Sequence, residues 1–210
     1  MSEEIRSRIL GAAARVYAKY GFRGATTRLI ATEAGVNEVT LFRTFGSKAQ
    51  LLQAMLSSHT TATSVPVIVD MSDPRTAMVE WCNAVLDHLR THAHIIRKTI
   101  AEAEERRDAA CAACEGSNSA GASLVLYVER LREDGLADRD TDVETAVSML
   151  MSAMFGDALY RDIMPQAFPG NADEAANRYV ETFMRAVGFR AASVPDRSRQ
   201  RVAGARRRSR

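Results

Sequence analysis

Cys111 and Cys114 stand three residues apart, the C-x-x-C spacing of redox couples and zinc sites. No second ligand pair accompanies them, and on a helix two small thiols serve equally well as packing residues. His88 and His92 are four apart and share a face wherever the chain is helical, as paired metal ligands would. The helix that carries them is expected to end near Thr91, which takes His92 off that face. A third set is denser and of another kind: Thr27, Arg28, Glu38, Val39, Thr40, Phe42, Arg43, Thr44 and Lys48. Lysine, arginine and threonine satisfy phosphate oxygens, while arginine, glutamate and apolar side chains discriminate base edges. That set is suited to a nucleic-acid duplex. No nucleophile elbow, phosphate-cradling glycine loop or metal triad is found, so the reading is not an enzyme, with no cofactor and no resident metal.

Short helices joined by tight turns must hold these side chains. Thr26 or Thr27 can cap a helix whose apolar face is Leu29, Ile30 and Ala34. Gly35 supplies the residue past its end, where positive φ is cheap only for glycine. Asn37 can cap the next helix, and Leu41 and Phe45, four apart, turn one of its faces inward. Glu38, Val39, Thr40, Phe42, Arg43 and Thr44 are thereby left outward. Ser47-Lys48-Ala49-Gln50 is a capping box for a third helix. Lys48 sits at that helix N-terminus, where amides and dipole already favour an anion. Arg28, on the first of the three, is placed to reach a guanine edge or a phosphate. This is a helix-turn-helix pattern.

The string T-T-x-x-I-A-x-x-A-G-V at 26–36, then T-L-F-x-x-F-x-S-K-x-x-L-L at 40–52, resembles the DNA-binding segment of the TetR (tetracycline repressor) family. The resemblance covers roughly residues 9 to 52. It implies an all-α fold of about nine helices and a cytoplasmic transcriptional regulator. The expected domains are a helix-turn-helix head at 1–48, a helical effector-binding and dimerisation body at 49–189, and a disordered Arg-rich tail at 190–210. It also implies a homodimer through helices eight and nine on a palindromic double-stranded operator, with release by a small-molecule effector. Positions 38, 39 and 42 then meet bases, and Thr40, Thr44 and Lys48 meet phosphates. The family usually has tyrosine where this chain has Phe42, which removes a hydroxyl; Phe42 either touches a thymine methyl or belongs to the core. Glu38 either accepts from cytosine N4 or is a solvated surface residue. Candidate pocket walls are Met78, Trp81, Ile96, Tyr127, Met151, Met154 and Phe155, each more readily read as plain core packing. The alternatives are a DNA-binding regulator without an effector, and one responding to redox or metal through Cys111/Cys114 or His88/His92.

Charge supports the same polarity independently. The net +2 divides into +4 over residues 1–48, −9 over 49–188 and +7 over 189–210. Basic ends attract a polyanion that an acidic middle would repel. Three cysteines, an odd number, argue against a secreted disulfide scaffold. No signal peptide opens the chain and no apolar run is long enough to span a bilayer.

Outside the head, apolar periodicity predicts a first helix from Glu3 to Tyr20 with Ile5, Ile9, Val16 and Tyr20 inward, stopped by Gly21. Asp73-Pro74 restarts the chain as an N-cap followed by proline at the first helical position. A helix carrying Ile95, Ile96 and Ile100 is expected to continue through the run EAEERRD. Glycine and serine at 116–121 suggest a loop. Thr141-x-x-Glu144 is expected to cap the eighth helix, whose stripe is Val143, Val147, Leu150, Met154 and Ala158.

Overall fold

The computed structural model describes residues 3–60, 67–104 and 107–190, the side chains at 59–60 and 107–118 excepted. Cys111 and Cys114 have their side chains outside that set, as do the segment 61–66 and the tail beyond Arg190. The described residues form nine α-helices and no strand: α1 (Glu3–Gly24), α2 (Thr27–Ala34), α3 (Glu38–Phe45), α4 (Lys48–Thr60), α5 (Pro74–Thr91), α6 (Ala93–Ala101), α7 (Arg107–Glu133), α8 (Val143–Tyr160) and α9 (Ala175–Ala186). Two short 3-10 turns, Pro165–Ala167 and Ala172–Glu174, lead into α9.

The buried side chains fall into two clusters. One joins Ile9, Tyr17, Ile30, Leu41 and Phe45 to Leu51, Leu52, Met55 and Leu56 of α4, and takes in Ile95 of α6. The other fills the body, from Met78, Trp81 and Leu86 of α5 through Leu124, Tyr127 and Leu131 of α7 to Val147, Met154, Val180 and Phe183. The long α4 and the short α6 are therefore where the head touches the body.

Several local expectations are corrected by packing. Within α1, Tyr17 is fully buried and Tyr20 is exposed, so the inward stripe follows Ile9, Ala13 and Tyr17. The helix breaks at Gly21 (φ 67°, ψ −173°) and resumes for one further turn. Leu29 lies outward rather than on the apolar face of α2. α6 stops at Ala101 instead of running through the charged stretch, and the carboxylate of its C-cap Glu102 reaches across to α1. Residues 116–121 are helical, not a loop. Gly121 lets α7 approach α8, since the position a Cβ there would take lies 3.9 Å from both Val147 and Met151. Burial of Leu124, Tyr127, Val128 and Leu131 further along the helix outweighs the poor helix propensity of glycine and serine. The cap of α8 is Asp142, which accepts from the Thr145 amide at 3.0 Å, and not Thr141. A carboxylate beside the first-turn amides also meets the helix dipole, which a hydroxyl does not.

Candidate nucleic-acid interface

Capping sets the angle between the two helices of the head. Thr26 caps α2, accepting from the Leu29 amide at 3.2 Å, and Asn37 caps α3, accepting from the Val39 amide at 2.9 Å. Between them Gly35 takes φ 63° and its amide closes α2 onto Ala31 and Thr32. Leu41 and Phe45 anchor α3 from behind, both buried. With two positions of an eight-residue helix pinned, the opposite face must project.

On that face Val39 is 69% exposed and Phe42 is 44% exposed, with Arg43 beside them. Phe42 is thus outside the core, on the surface where a thymine methyl is within its chemistry. Thr40 and Thr44 are half-buried at the flank, and the Thr44 hydroxyl donates to the Thr40 carbonyl at 2.6 Å. Glu38 is not simply solvated. Its carboxylate accepts a hydrogen bond from the Thr27 hydroxyl, which ties the first residue of α3 to the first residue of α2. Arg28 follows on the exposed side of α2. Thr27, Arg28 and Glu38, eleven positions apart in sequence at most, thus lie along one edge.

Lys48 opens α4, next to Ser47, whose hydroxyl accepts from the Gln50 amide at 3.2 Å. Its ammonium lies over the Phe22 ring, 4.5 Å from the centroid, and within 3.4 Å of the Arg23 carbonyl. A cation held against an aromatic face keeps its charge while losing side-chain freedom.

One link escaped the sequence reading. Phe22, freed by the break at Gly21, donates its amide to Glu102 Oε1 at 2.8 Å. The Tyr17 hydroxyl donates to Glu102 Oε2 at 2.9 Å and lies 3.2 Å from Thr99 Oγ1. The end of α6 is therefore bonded directly to the helix that supports the head. Only the positive-φ glycine hinted at it.

In the body, Met78, Trp81, Ile96, Tyr127 and Met154 are buried in one cluster, with Met151 and Phe155 packed against it. The Tyr127 hydroxyl donates to the Asp70 carbonyl at 2.7 Å. The His88 and His92 rings have centroids 4.5 Å apart, and His92 Nδ1 lies 2.8 Å from the His88 carbonyl oxygen, so His92 ends α5. Among the described residues no group of three or more histidine, cysteine, aspartate or glutamate side chains is placed to hold a metal ion. No described helix is long and apolar enough to cross a membrane.

Residues 9–55 match the family described as bacterial regulatory proteins, tetR family. The chain is 30% identical over 154 residues to YvkB of Bacillus subtilis (strain 168), described as an uncharacterized HTH-type transcriptional regulator; the match spans 73% of this chain and 81% of that one. Its fold is similar to that of Salmonella enterica GusR, with a TM-score of 0.71 at 21% identity over 90% of this chain and 98% of that one. The TetR family transcriptional regulator PfmR from Thermus thermophilus is similar too, with a TM-score of 0.64 at 19% identity over 86% and 98% of the two chains.

Proposed function

The chain belongs to the tetR family of bacterial regulatory proteins, and on that premise we propose that it is a homodimeric repressor released from a palindromic operator by a small-molecule ligand. The coarser activity follows from the family itself: a transcriptional regulator with a DNA-binding helix-turn-helix.

The observation that carries the reading is the outward face of α3, where Val39 and Phe42 stand exposed beside Arg43 while Leu41 and Phe45 hold the helix from behind. Apolar side chains on a cationic surface gain by meeting base methyls in a groove. Glu38, Val39 and Phe42 take the base edges; Thr40, Thr44 and Lys48 take phosphates; Arg28 and Arg43 reach whichever acceptor lies nearer. Thr27 acts through Glu38, whose carboxylate it orients. Functionally the reading head is 1–48, and 49–189 is the effector-binding and dimerising body.

One head covers a single half-site, so two are needed about 34–36 Å apart. The dimer face is the groove between α8 and α9, about 350 Å³ in volume, with Met149, Leu150, Ala153, Tyr179 and Phe183 among its walls. Met149 is 69% exposed there, an apolar surface that a second copy would cover. The effector occupies the region of Met78, Trp81, Ile96, Tyr127, Met151, Met154 and Phe155, where flexible methionines accommodate varied shapes.

Titrating the protein against its own upstream intergenic DNA over a salt series tests the DNA reading, and sedimentation at micromolar concentration tests the dimer. Salt-sensitive, saturable binding by a dimer is expected, with Met149→Glu shifting the protein to monomer. A monomeric wild type, or no attraction for duplex DNA at low salt, overturns it. Thermal shifts against a metabolite panel separate an effector-controlled protein from one that binds DNA constitutively.

A further inference from the structure

We propose that the cavity where α5 meets α6, beneath the end of α8, binds a small organic anion through a carboxylate or phosphate group, and that this is the chemical class of the effector. The proposal rests on the reading that a small molecule controls the head.

The cavity is about 350 Å³, and its polar walls are Arg90, His94, Arg97, Asp157, Arg161 and Asp162. Three guanidiniums face two carboxylates, so the lining carries a net positive charge. Arg161 is committed to structure: its Nε donates to Asp157 at 2.9 Å, and Nη1 reaches the carbonyls of Phe168 at 3.3 Å and Gly170 at 2.9 Å. Arg90 shares the same Asp157 at 3.3 Å. The buried Asp157 charge is therefore answered twice over. Asp87 also lies 4.0 Å from Arg90, but it is largely in water and outside the cavity wall.

Arg97 is the variable member. Its two terminal nitrogens grip Asp162 as a fork, at 3.0, 3.1 and 3.0 Å. The Arg97 side chain is only 19% exposed, whereas that of Asp162 is 61% exposed. Asp162 thus stands at the mouth holding a cation seated inside. Asp162 is 61% exposed and regains water when it swings away, so an incoming carboxylate or phosphate can replace it on the same planar fork. The small side chains Ala93 and Ala158 complete the wall, one turn from Ile96 and Met154 on their respective helices. An apolar group attached to the anion would meet the core there. Arg97 also lies on the nine-residue helix whose far end bonds α1 through Thr99 and Glu102. The run from Arg97 to Glu102 is about 7.5 Å at helical rise, so movement of α6 at the anion site is felt at the head.

The test is calorimetric titration of the full-length protein, without DNA, with inorganic phosphate and with benzoate in chloride buffer at constant ionic strength. Saturable binding of at least one probe is expected, and which one binds distinguishes phosphate from carboxylate. Arg97→Gln should weaken it at least about tenfold, the loss of a charge-assisted fork. Asp162→Asn should strengthen it several-fold, because the competing carboxylate is gone, and its exposed position leaves the fold intact. No saturation with either probe, or the same affinity in both variants as in wild type, overturns the proposal. DNA affinity is then measured with and without the bound probe, where wild type should respond and Arg97→Gln should not. Anion binding without any DNA binding would sink the repressor reading and leave the site standing; DNA binding without anion binding would do the reverse.

Discussion

Asp157→Asn is the sharpest test of how the body is held together. The carboxylate is 1% exposed and collects Arg161, Arg90 and the Tyr179 hydroxyl, the last at 2.6 Å. Burial works against its ionisation, but hydrogen bonds from Arg161 and Tyr179 and the guanidinium charge outweigh it and hold the carboxyl below the usual carboxylate range. Burial and the Asp157 hydrogen bond together push the Tyr179 phenol up to about 12. Asparagine keeps the shape, removes the charge and turns an amide donor toward donors. Removing one partner of a buried ion pair costs about 3–5 kcal/mol. In a chain of this size each kcal/mol moves Tm by about 2–4 °C, so the expected drop is about 6–20 °C. Melting both proteins by circular dichroism at one fixed concentration, pH 7, measures it, with mass action then equal for the two. The pH series adds a sign. Because the folded pKa lies below the unfolded value of about 3.9, the ionised carboxylate stabilises fully above that pH and progressively less below it. The gap between the two proteins should therefore be full at pH 6–7 and narrow as pH falls below about 4. Asp73, Asp142 and Asp162, whose carboxyls are also held low, titrate alike in both proteins and cancel. A drop under about 2 °C, or a gap that does not narrow in acid, would refute the reasoning.

Three further outcomes are expected. Lys48→Ala should weaken binding to every duplex alike and flatten the dependence of log K on log salt by about one unit, read by anisotropy over a salt series; an unchanged slope removes Lys48 from the contacts. Glu38→Gln should relax base preference at one operator position by about 1–3 kcal/mol, since glutamate only accepts whereas glutamine also donates; selection from randomised duplexes reads it, and an unaltered consensus rejects the role. Gly21→Ala should destabilise the head by about 1–3 kcal/mol, because φ is 67° and the new methyl would collide with Glu102 Oε1; denaturant unfolding unchanged from wild type would contradict it.

The sequence by itself determined the head. Thr26, Gly35 and Asn37 are local signals whose partners lie within four residues, so caps, turns and the outward face of α3 could be read without long-range information. It also determined the stripe of α8 and the restart at Asp73-Pro74, again because helical periodicity and capping are short-range. Tertiary structure alone decided the rest. That α7 runs through 116–121 depends on neighbouring helices rewarding what glycine and serine penalise. That Glu102 bonds to α1 depends on a tyrosine hydroxyl and a freed amide some eighty residues away. That Asp157 meets Arg90, and Arg97 meets Asp162, depends on pairings 67 and 65 residues apart. A polar side chain's partner is chosen by where the helices pack, and no periodicity along the chain records that choice.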